Sequence, residues 1–408
     1  MSTSLMRTVL RMLPILCGMS TVALTYQSEP KGDTENPTYF RDIKPLFLRS
    51  CVPCHRSGGP APFALDTYES LRKHGPLVRI QSVSRAMPPF RAHTDFGEFS
   101  DIPILSDSQL VMIQRWFQLG QPKGEQLPND PAAHPKAIAV HSTWSHSANG
   151  YRSRAEGVRY WMTYRISTSK MPKLIRSLTF TPKSPKLVTG FSFGFAKIDS
   201  STKKSPIESF GTISNSQASI VGRWAPGYRN WTLPTGSSLS VPAGHDLLIQ
   251  VQYQPSGKEE DAGFVVAASA GQPKDKVTQS ILLEKPKFEI PVDSVPTFLL
   301  SNKIDRPIRI HSVVPEARFY CSKIKLLATL PNNETIVLYD ARPWDVYWTG
   351  NYQFATPVAL PAGTVLEAAF TYANDEFCSA NDGKKPAPVF SGAGLNNEAC
   401  KLTVVTIE

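Results

Sequence analysis

The pentapeptide Cys51-Val52-Pro53-Cys54-His55 carries the most specific chemistry in the chain. Two thiols three positions apart can reach the two vinyl groups of one haem, and the adjacent imidazole then lies beneath the iron as proximal ligand. Two other chemistries use paired cysteines. Zinc would call for a second Cys/His pair nearby, and none follows at suitable spacing. A redox dithiol would sit in a βαβ unit, whereas helical patterning surrounds this motif. The spacing therefore predicts one haem c, bound covalently through Cys51 and Cys54, with His55 on the iron.

The elements that would position such a group follow from periodicity. Phe40, Ile43 and Phe47, with Leu46 beside them, predict a helix leading into the cysteines. Ser106 is a helix cap for a second helix carrying Leu110, Ile113 and Phe117 on one face, and Gly120 ends it. Two amphipathic helices bracketing the motif resemble a small class I cytochrome c domain over residues 35–125. That resemblance implies a distal methionine between the helices, and Met87 in Arg85-Ala86-Met87-Pro88-Pro89-Phe90 fits it. Pro88 keeps Met87 out of helical geometry, and the two prolines hold the segment extended. A Met axial ligand suits electron transfer. His74, His93 and Met112 are rivals for the sixth position, and Met87 as a simple core filler is the alternative role.

Arg7 and Arg11 precede a short apolar run from Met12 to Leu24, too short to span a bilayer comfortably. Residues 1–25 read as a secretory signal peptide, which places the mature protein in a periplasm or at a cell surface. Cys17 could alternatively carry a lipid anchor, although Leu16 before it suits that processing poorly. No later stretch reaches membrane length, so no transmembrane segment is expected in the mature chain. The net charge of +10 suits an acidic redox partner or solubility alone. No Lys/Arg run long enough for a nucleic-acid patch occurs.

Charged residues make up only 19% of the 408, and 35 are proline, which favours a loop-rich β chain. Prolines 128, 131 and 135 mark a linker over 126–140. Beyond it, segments such as Phe191-Ser192-Phe193-Gly194-Phe195 and Leu247–Tyr253 alternate with period two. The expected fold class is thus multidomain: a small all-α class I cytochrome c domain, then two tandem all-β jelly-roll-like sandwich lobes, at 141–285 and 286–408.

Three segments carry a wider resemblance: "WAPGYRNWTLPTGSSLSVPAGHDLLIQVQYQPSGK", "LYDARPWDVYWTGNYQFATPVALPAGTVLEAAFTYAND" and "NNEACKL". They resemble the two-lobed copper type II, ascorbate-dependent monooxygenases, the group of peptidylglycine and dopamine hydroxylases. With "CVPCHRSGGPAPF" and "MPPF" in front, the chain is similar to a bacterial version that carries a cytochrome c domain. The resemblance implies one copper per lobe, the first held by a His-His pair and another His, the second by His-x-His and a Met. At the matching positions stand Thr189 and Gly190 ("LVTGFSF"), Gln252 ("VQYQP"), Glu316 and Arg318 ("VVPEARF"), and Ala399 before Cys400. None offers the imidazole or thioether that copper needs at fixed geometry, so copper is not expected. His245 and His311 lie close by but off these positions. Glu316 and Arg318, two apart on a strand, would face the same way and could pair.

Cys378 and Cys400 are disulfide candidates in an exported lobe, Cys400 standing where the family has a disulfide cysteine, and Cys321 is left as a buried thiol or a link to a partner. No catalytic Ser/His/Asp or Cys/His set appears, and Glu316 with Glu398 makes too thin an acid/base pair. The chain reads as an exported electron-transfer cytochrome, an electron carrier for a redox partner protein, with ligand-less lobes as docking or structural scaffold. The alternative is a haem-containing oxidoreductase of the ascorbate-dependent monooxygenase type that uses the lobes for catalysis.

Overall fold

In this computed structural model the described residues are 36–90, 92–96, 99–100, 103–126, 142–198, 205–209, 219–226, 230–392 and 397–407. The leader at 1–25, Cys17 and the linker from 127 onward lie outside them. The expected fold class is corrected: the chain is mostly β, with 42% of residues in strands against 15% in helix, and the described residues contain no sizeable all-α cytochrome domain. Four short α-helices occur among the described residues: α1 (Lys44–Ser50), α2 (Tyr68–Lys73), α3 (Gly75–Val83) and α4 (Asp107–Gln118). A π-helical turn, Tyr39–Ile43, runs into α1.

Local chemistry explains these helices. The Ser106 hydroxyl accepts from the Gln109 N–H while Gln109 Oε1 accepts from the Ser106 N–H, a capping box that satisfies two otherwise orphaned donors. Gly120, at φ +75°, turns the chain out of the last helix in a conformation that favours glycine. The helices share one core of Tyr39, Ile43, Phe47, Leu71, Ile113 and Trp116. Trp116 is fully buried, and its indole N–H donates to the Pro122 carbonyl at 3.0 Å; the same carbonyl accepts from Tyr39 N. The segment after α4 is thereby tied back to the first helical turn.

The segment between α3 and α4 explains why no separate helical domain exists. Arg85, at φ +56°, turns the chain away from α3. The short strand Ala92–His93 then pairs antiparallel with Thr335–Ala341, Ala92 opposite Ala341 and His93 opposite Asp340. Phe90, Ala92 and Phe99 belong to the core of the C-terminal β unit, not to the helical core.

The remaining strands form two units, each with its own core of paired sheets. In the first, one sheet runs Ile207–Ser209, Tyr160–Ser167, His245–Tyr253, Val188–Lys197, Ser219–Trp224. The facing sheet centres on Leu174–Pro182 and Phe264–Ala270. Alternation decides which side chains meet: Leu247, Ile249, Val251 and Tyr253 enter the core, and Leu248, Gln250 and Gln252 point away from it. In the second unit, one sheet runs Ala92–His93, Thr335–Ala341, Cys321–Thr329, Val365–Tyr372, Thr297–Lys303. The other runs Gln279–Glu284, Lys401–Ile407, Ile308–Glu316, Tyr352–Leu360. Gln279–Glu284, inside the range expected for the first lobe, pairs along the full strand Lys401–Ile407 and so belongs to the second unit.

The two units meet face to face. Ala196, Ile220 and Leu248 of the first pack against Val314 and Val405 of the second. Around this apolar patch the seam is polar and buried: Gln250, Gln252, Ser192 and Arg223 on one side, Ser312, Glu316 and Thr403 on the other. Replacing Trp116 by Ala removes a fully buried side chain and one buried hydrogen bond. The expected cost is about 3–5 kcal/mol, read as a lower midpoint in urea unfolding followed by far-UV circular dichroism.

Candidate functional site

The motif begins where α1 ends. Cys51 caps α1, its N–H donating to the Phe47 carbonyl at 2.9 Å, and His55 N donates to the Cys51 carbonyl at 2.8 Å. The His55 ring is oriented by its Nδ1, which lies 3.0 Å from the Phe63 carbonyl. A carbonyl can only accept, so Nδ1 carries the proton and Nε2 keeps its lone pair. That is the outer hydrogen bond by which a ligating histidine is usually held in place. Burial lowers the pKa of His55, against the opposing effect of the Phe63 hydrogen bond, which favours the neutral ring that a metal needs.

The two cysteines are half-buried, with their thiol groups turned into the protein. Burial pushes both Cys51 and Cys54 up to about 12; Arg56 and Arg159 oppose the rise at Cys54. A nucleophilic or redox dithiol needs a lowered pKa, so the geometry speaks against that alternative. Among the described residues no group of three or more His, Cys, Asp and Glu side chains could hold a metal ion. The zinc alternative thus gains nothing from the fold.

The loop carrying the motif is clamped by the first β unit. Cys54 Sγ donates to the Pro226 carbonyl at 3.4 Å, and Gln254 Nε2 donates to the carbonyls of Pro60 and Lys186, both at 2.7 Å. Beside Cys54, Arg159 lies over the rings of Trp348 (4.7 Å) and Tyr347 (5.4 Å) of the second unit. The motif therefore sits where helices and both β units converge.

Met87 and its rivals separate by place. Met112 packs into the helical core. His74 stacks on Phe63 at 4.2 Å, on the ring that also touches His55. Met87 is 39% exposed and lines a cavity of 240 Å³ with Phe90, His93, Leu105, Leu110 and Arg342. Leu77, Ile80 and Val83 are exposed on α3, leading toward Met87.

The positions matched to copper ligands fall into two groups. Thr189, Gly190 and Gln252 come together: Gly190 is opposite Gln252 in register, and the Thr189 hydroxyl donates to Gln252 Oε1 at 2.5 Å. They line a cavity of only 20 Å³ at the seam, with Trp161, Arg223 and Tyr347, about the space of one water molecule. Glu316, Arg318 and Ala399 lie in the second unit. Arg318 does not simply pair with Glu316: it is past the end of the strand, its Nη1 donates to the Asn397 carbonyl at 3.2 Å, and Glu398 outweighs Glu316 among the charges acting on it. Glu398 accepts from the backbone N–H groups of Arg318, Tyr320 (2.9 Å) and Ala399 (2.7 Å). The five described cysteines all carry free thiols, so Cys378 and Cys400 are not joined.

Three residues escaped the sequence reading. Arg223 spans the seam, donating to Ser192 Oγ (3.2 Å) on its own side and to Thr349 Oγ1 (2.8 Å) and the Pro315 carbonyl (3.2 Å) on the other. Arg159 is the second. His245, by contrast, opens its strand, and its Nδ1 contacts the Ala243 carbonyl. The third, His311, had been passed over as lying off the matching positions. It is fully buried at a bulge and has no hydrogen-bond partner on either ring nitrogen among the described residues. None has a sequence signature: Arg223 and Arg159 act through partners far along the chain, and His311 is set apart by burial alone.

The chain matches no protein-family model and no curated protein. Among solved structures it is similar to the infectious bursal disease virus VP2 subviral particle at 11% identity, over 67% of this chain and 73% of that one, with a TM-score of 0.19. Allantoicase gives 9% identity over 60% and 78%, TM-score 0.16. VP54 of PBCV-1, fitted into the virophage Sputnik, gives 7% over 66% and 95%, TM-score 0.20. None of the three is a cytochrome c or a copper monooxygenase, and at these TM-scores they bear on neither fold nor function.

Two buried groups predict opposed pH effects. Burial raises Glu398 from 4.5 to about 7 and lowers His311 from 6.5 to about 4. With its folded pKa raised, Glu398 contributes stability that is lost as pH rises from 4.5 through 7. With its folded pKa lowered, His311 contributes stability that is lost as pH falls from 6.5 through 4. Each amounts to about 3 kcal/mol, so the parent profile is expected to be nearly flat between pH 4.5 and 6.5. Glu398→Gln should give a melting temperature that climbs with pH over this window, and His311→Asn one that falls, both read by differential scanning calorimetry.

Proposed function

We propose that this protein is an exported c-type cytochrome. In this reading Cys51 and Cys54 hold one haem through thioethers, His55 Nε2 is the proximal ligand and Met87 the distal one. The observation that carries it is the C-x-x-C-H loop with its histidine ring already oriented through the Phe63 carbonyl and Nε2 left free. When bound, the haem supplies a one-electron couple. The chain's own residues do the rest. Phe63 fixes the imidazole tautomer, and the unionised thiols stay inert until they are joined to the vinyl groups. The exposed side chains of Leu77, Ile80 and Val83 give the apolar ring a surface to cover.

The two β units serve as docking or structural scaffold for a redox partner. What supports this is the state of the seam. Where the resemblance to copper monooxygenases would put a first metal, a hydroxyl–amide hydrogen bond stands in a cavity of 20 Å³, and hydroxyl, amide and glycine are poor donors for copper. The basic net charge of +10 would steer an acidic partner toward the molecule at low salt. No helix among the described residues is long and apolar enough to cross a membrane.

Expression in a host that matures c-type haem tests the reading. The expected product is coloured, contains iron but no copper at stoichiometric level, and keeps its haem on a denaturing gel. Changing both Cys51 and Cys54 to Ser should abolish that covalent retention. A colourless parent, or stoichiometric copper, overturns the reading. In the haem-bearing parent carbon monoxide should bind poorly, and Met87→Ala should bind it readily and shift the reduced visible spectrum; an unchanged spectrum removes Met87 from the iron.

A further inference from the structure

The segment carrying Met87 is held from two sides that belong to different parts of the molecule. On one side Met87 N donates to the Gln81 carbonyl at 2.9 Å, tying it to the end of α3. On the other, three residues later, Phe90 is 3% exposed in the core of the second β unit, its ring edge-on to Trp348 at 6.1 Å. Between the two anchors stand only Pro88 and Pro89, whose fixed φ leaves little slack.

The second anchor is extensive. Ala92–His93 adds a strand to the edge Thr335–Ala341. Beyond it, Asp95 N donates to the Val337 carbonyl at 2.9 Å, Val337 N donates back to Asp95 Oδ2 at 2.8 Å, and Thr94 Oγ1 donates to the same carbonyl at 3.2 Å. Ser100 N donates to the Gln353 carbonyl at 2.8 Å. At the return, Ile104 packs on the second unit's core while Leu105 belongs to the helical core. The cavity beside Met87 is itself shared, with Leu110 of α4 on one wall and Arg342 of the second unit on another.

We propose that the second β unit is the clamp that sets the sixth haem ligand: Met87 is presented by strand addition to the Thr335–Ala341 edge, with Thr94 and Asp95 as positioning residues. This rests on the haem reading above and adds to it a task for the C-terminal unit. A free helical segment would leave Met87 on a loop of some twenty residues between α3 and α4, and a loop pinned at its middle samples far fewer conformations. The fraction of time the thioether would spend away from a bound iron is therefore set by bonds made by residues 94, 95 and 337. A partner that pulls on this edge would lower the potential, because a Met ligand raises it.

The test compares the haem-bearing parent with Asp95→Ala, Asp95→Asn and the double variant Thr94→Val/Asp95→Ala. Carbon monoxide association reads how often Met87 is off the iron, potentiometry reads the potential, and limited proteolysis of the same preparations reads release of residues 84–106. With three hydrogen bonds removed, two of them to Val337 and one from Phe96 N, the double variant should bind carbon monoxide roughly tenfold faster or more, with a lower potential and new cleavage in the segment. Asp95→Ala should go part of the way, and Asp95→Asn, which keeps an acceptor for Val337 N, should match the parent. A double variant that keeps the parent's carbon monoxide rate and potential overturns the proposal whatever its cleavage pattern, and leaves the haem reading standing. A parent whose haem is covalent but binds carbon monoxide freely does the same. A parent without covalent haem overturns both. Should the double variant fail to accumulate, Asp95→Ala against Asp95→Asn decides alone.

Discussion

Strand addition between the segment around Ala92 and the edge Thr335–Ala341 is the constraint from which most of the architecture follows. An open sheet edge offers a row of unpaired N–H and C=O groups and has to be covered or paired. Here it is paired by a piece of chain more than 200 residues earlier, and the apolar residues that accompany that piece, Phe90, Ala92 and Phe99, fill the core beneath. The consequence is that the four helices cannot separate as a domain. Their central connection is part of another unit's sheet, and only Tyr39, Phe47, Ile113, Trp116 and their neighbours form a core of their own. A small core of that kind is marginal by itself; the attachment to a larger β unit makes up the difference.

The second organising contact is the polar seam between the β units. Burying a guanidinium is unfavourable unless its donors are satisfied. Arg223 meets that condition at both of its terminal nitrogens by reaching across: Ser192 on its own unit, Thr349 and the Pro315 carbonyl on the other. Such a contact is directional, so it fixes the angle of the two units as well as their association. Ala196, Ile220 and Leu248 pack against Val314 and Val405 alongside it. The cleft that two separate lobes could have enclosed is reduced here to a space for a single water.

Helices, seam and clamp meet at the Cys51–His55 loop. Its thiol side is closed by Pro226 and Gln254 of the first unit, and Arg159 beside it rests on Tyr347 and Trp348 of the second. Trp348 in turn touches Phe90, the anchor of the Met87 segment. The Cys51–His55 loop and the Met87 segment are thus linked through one aromatic group in the C-terminal unit.

What the sequence determined by itself was local. The Ser106 cap, the stop at Gly120 and the period-two alternation of Leu247–Tyr253 all depend on residues a few positions apart, and each is found at the residues that signalled it. The resemblance to copper monooxygenases located Thr189, Gly190 and Gln252, which the fold does bring together. What only the tertiary structure decided was everything that needs a distant partner. The helical segment was read as independent because its periodicity is complete without Thr335–Ala341, and strand addition of two residues leaves no periodic trace. Gln279–Glu284 was assigned to the first lobe by position, but pairing with Lys401–Ile407 decides otherwise. Arg223, Arg159 and His311 look like ordinary residues in the sequence. Partners across the seam, 90 or more residues away, give Arg223 and Arg159 their roles, burial with no partner on the ring gives His311 its own, and neither is written in the residues next to them.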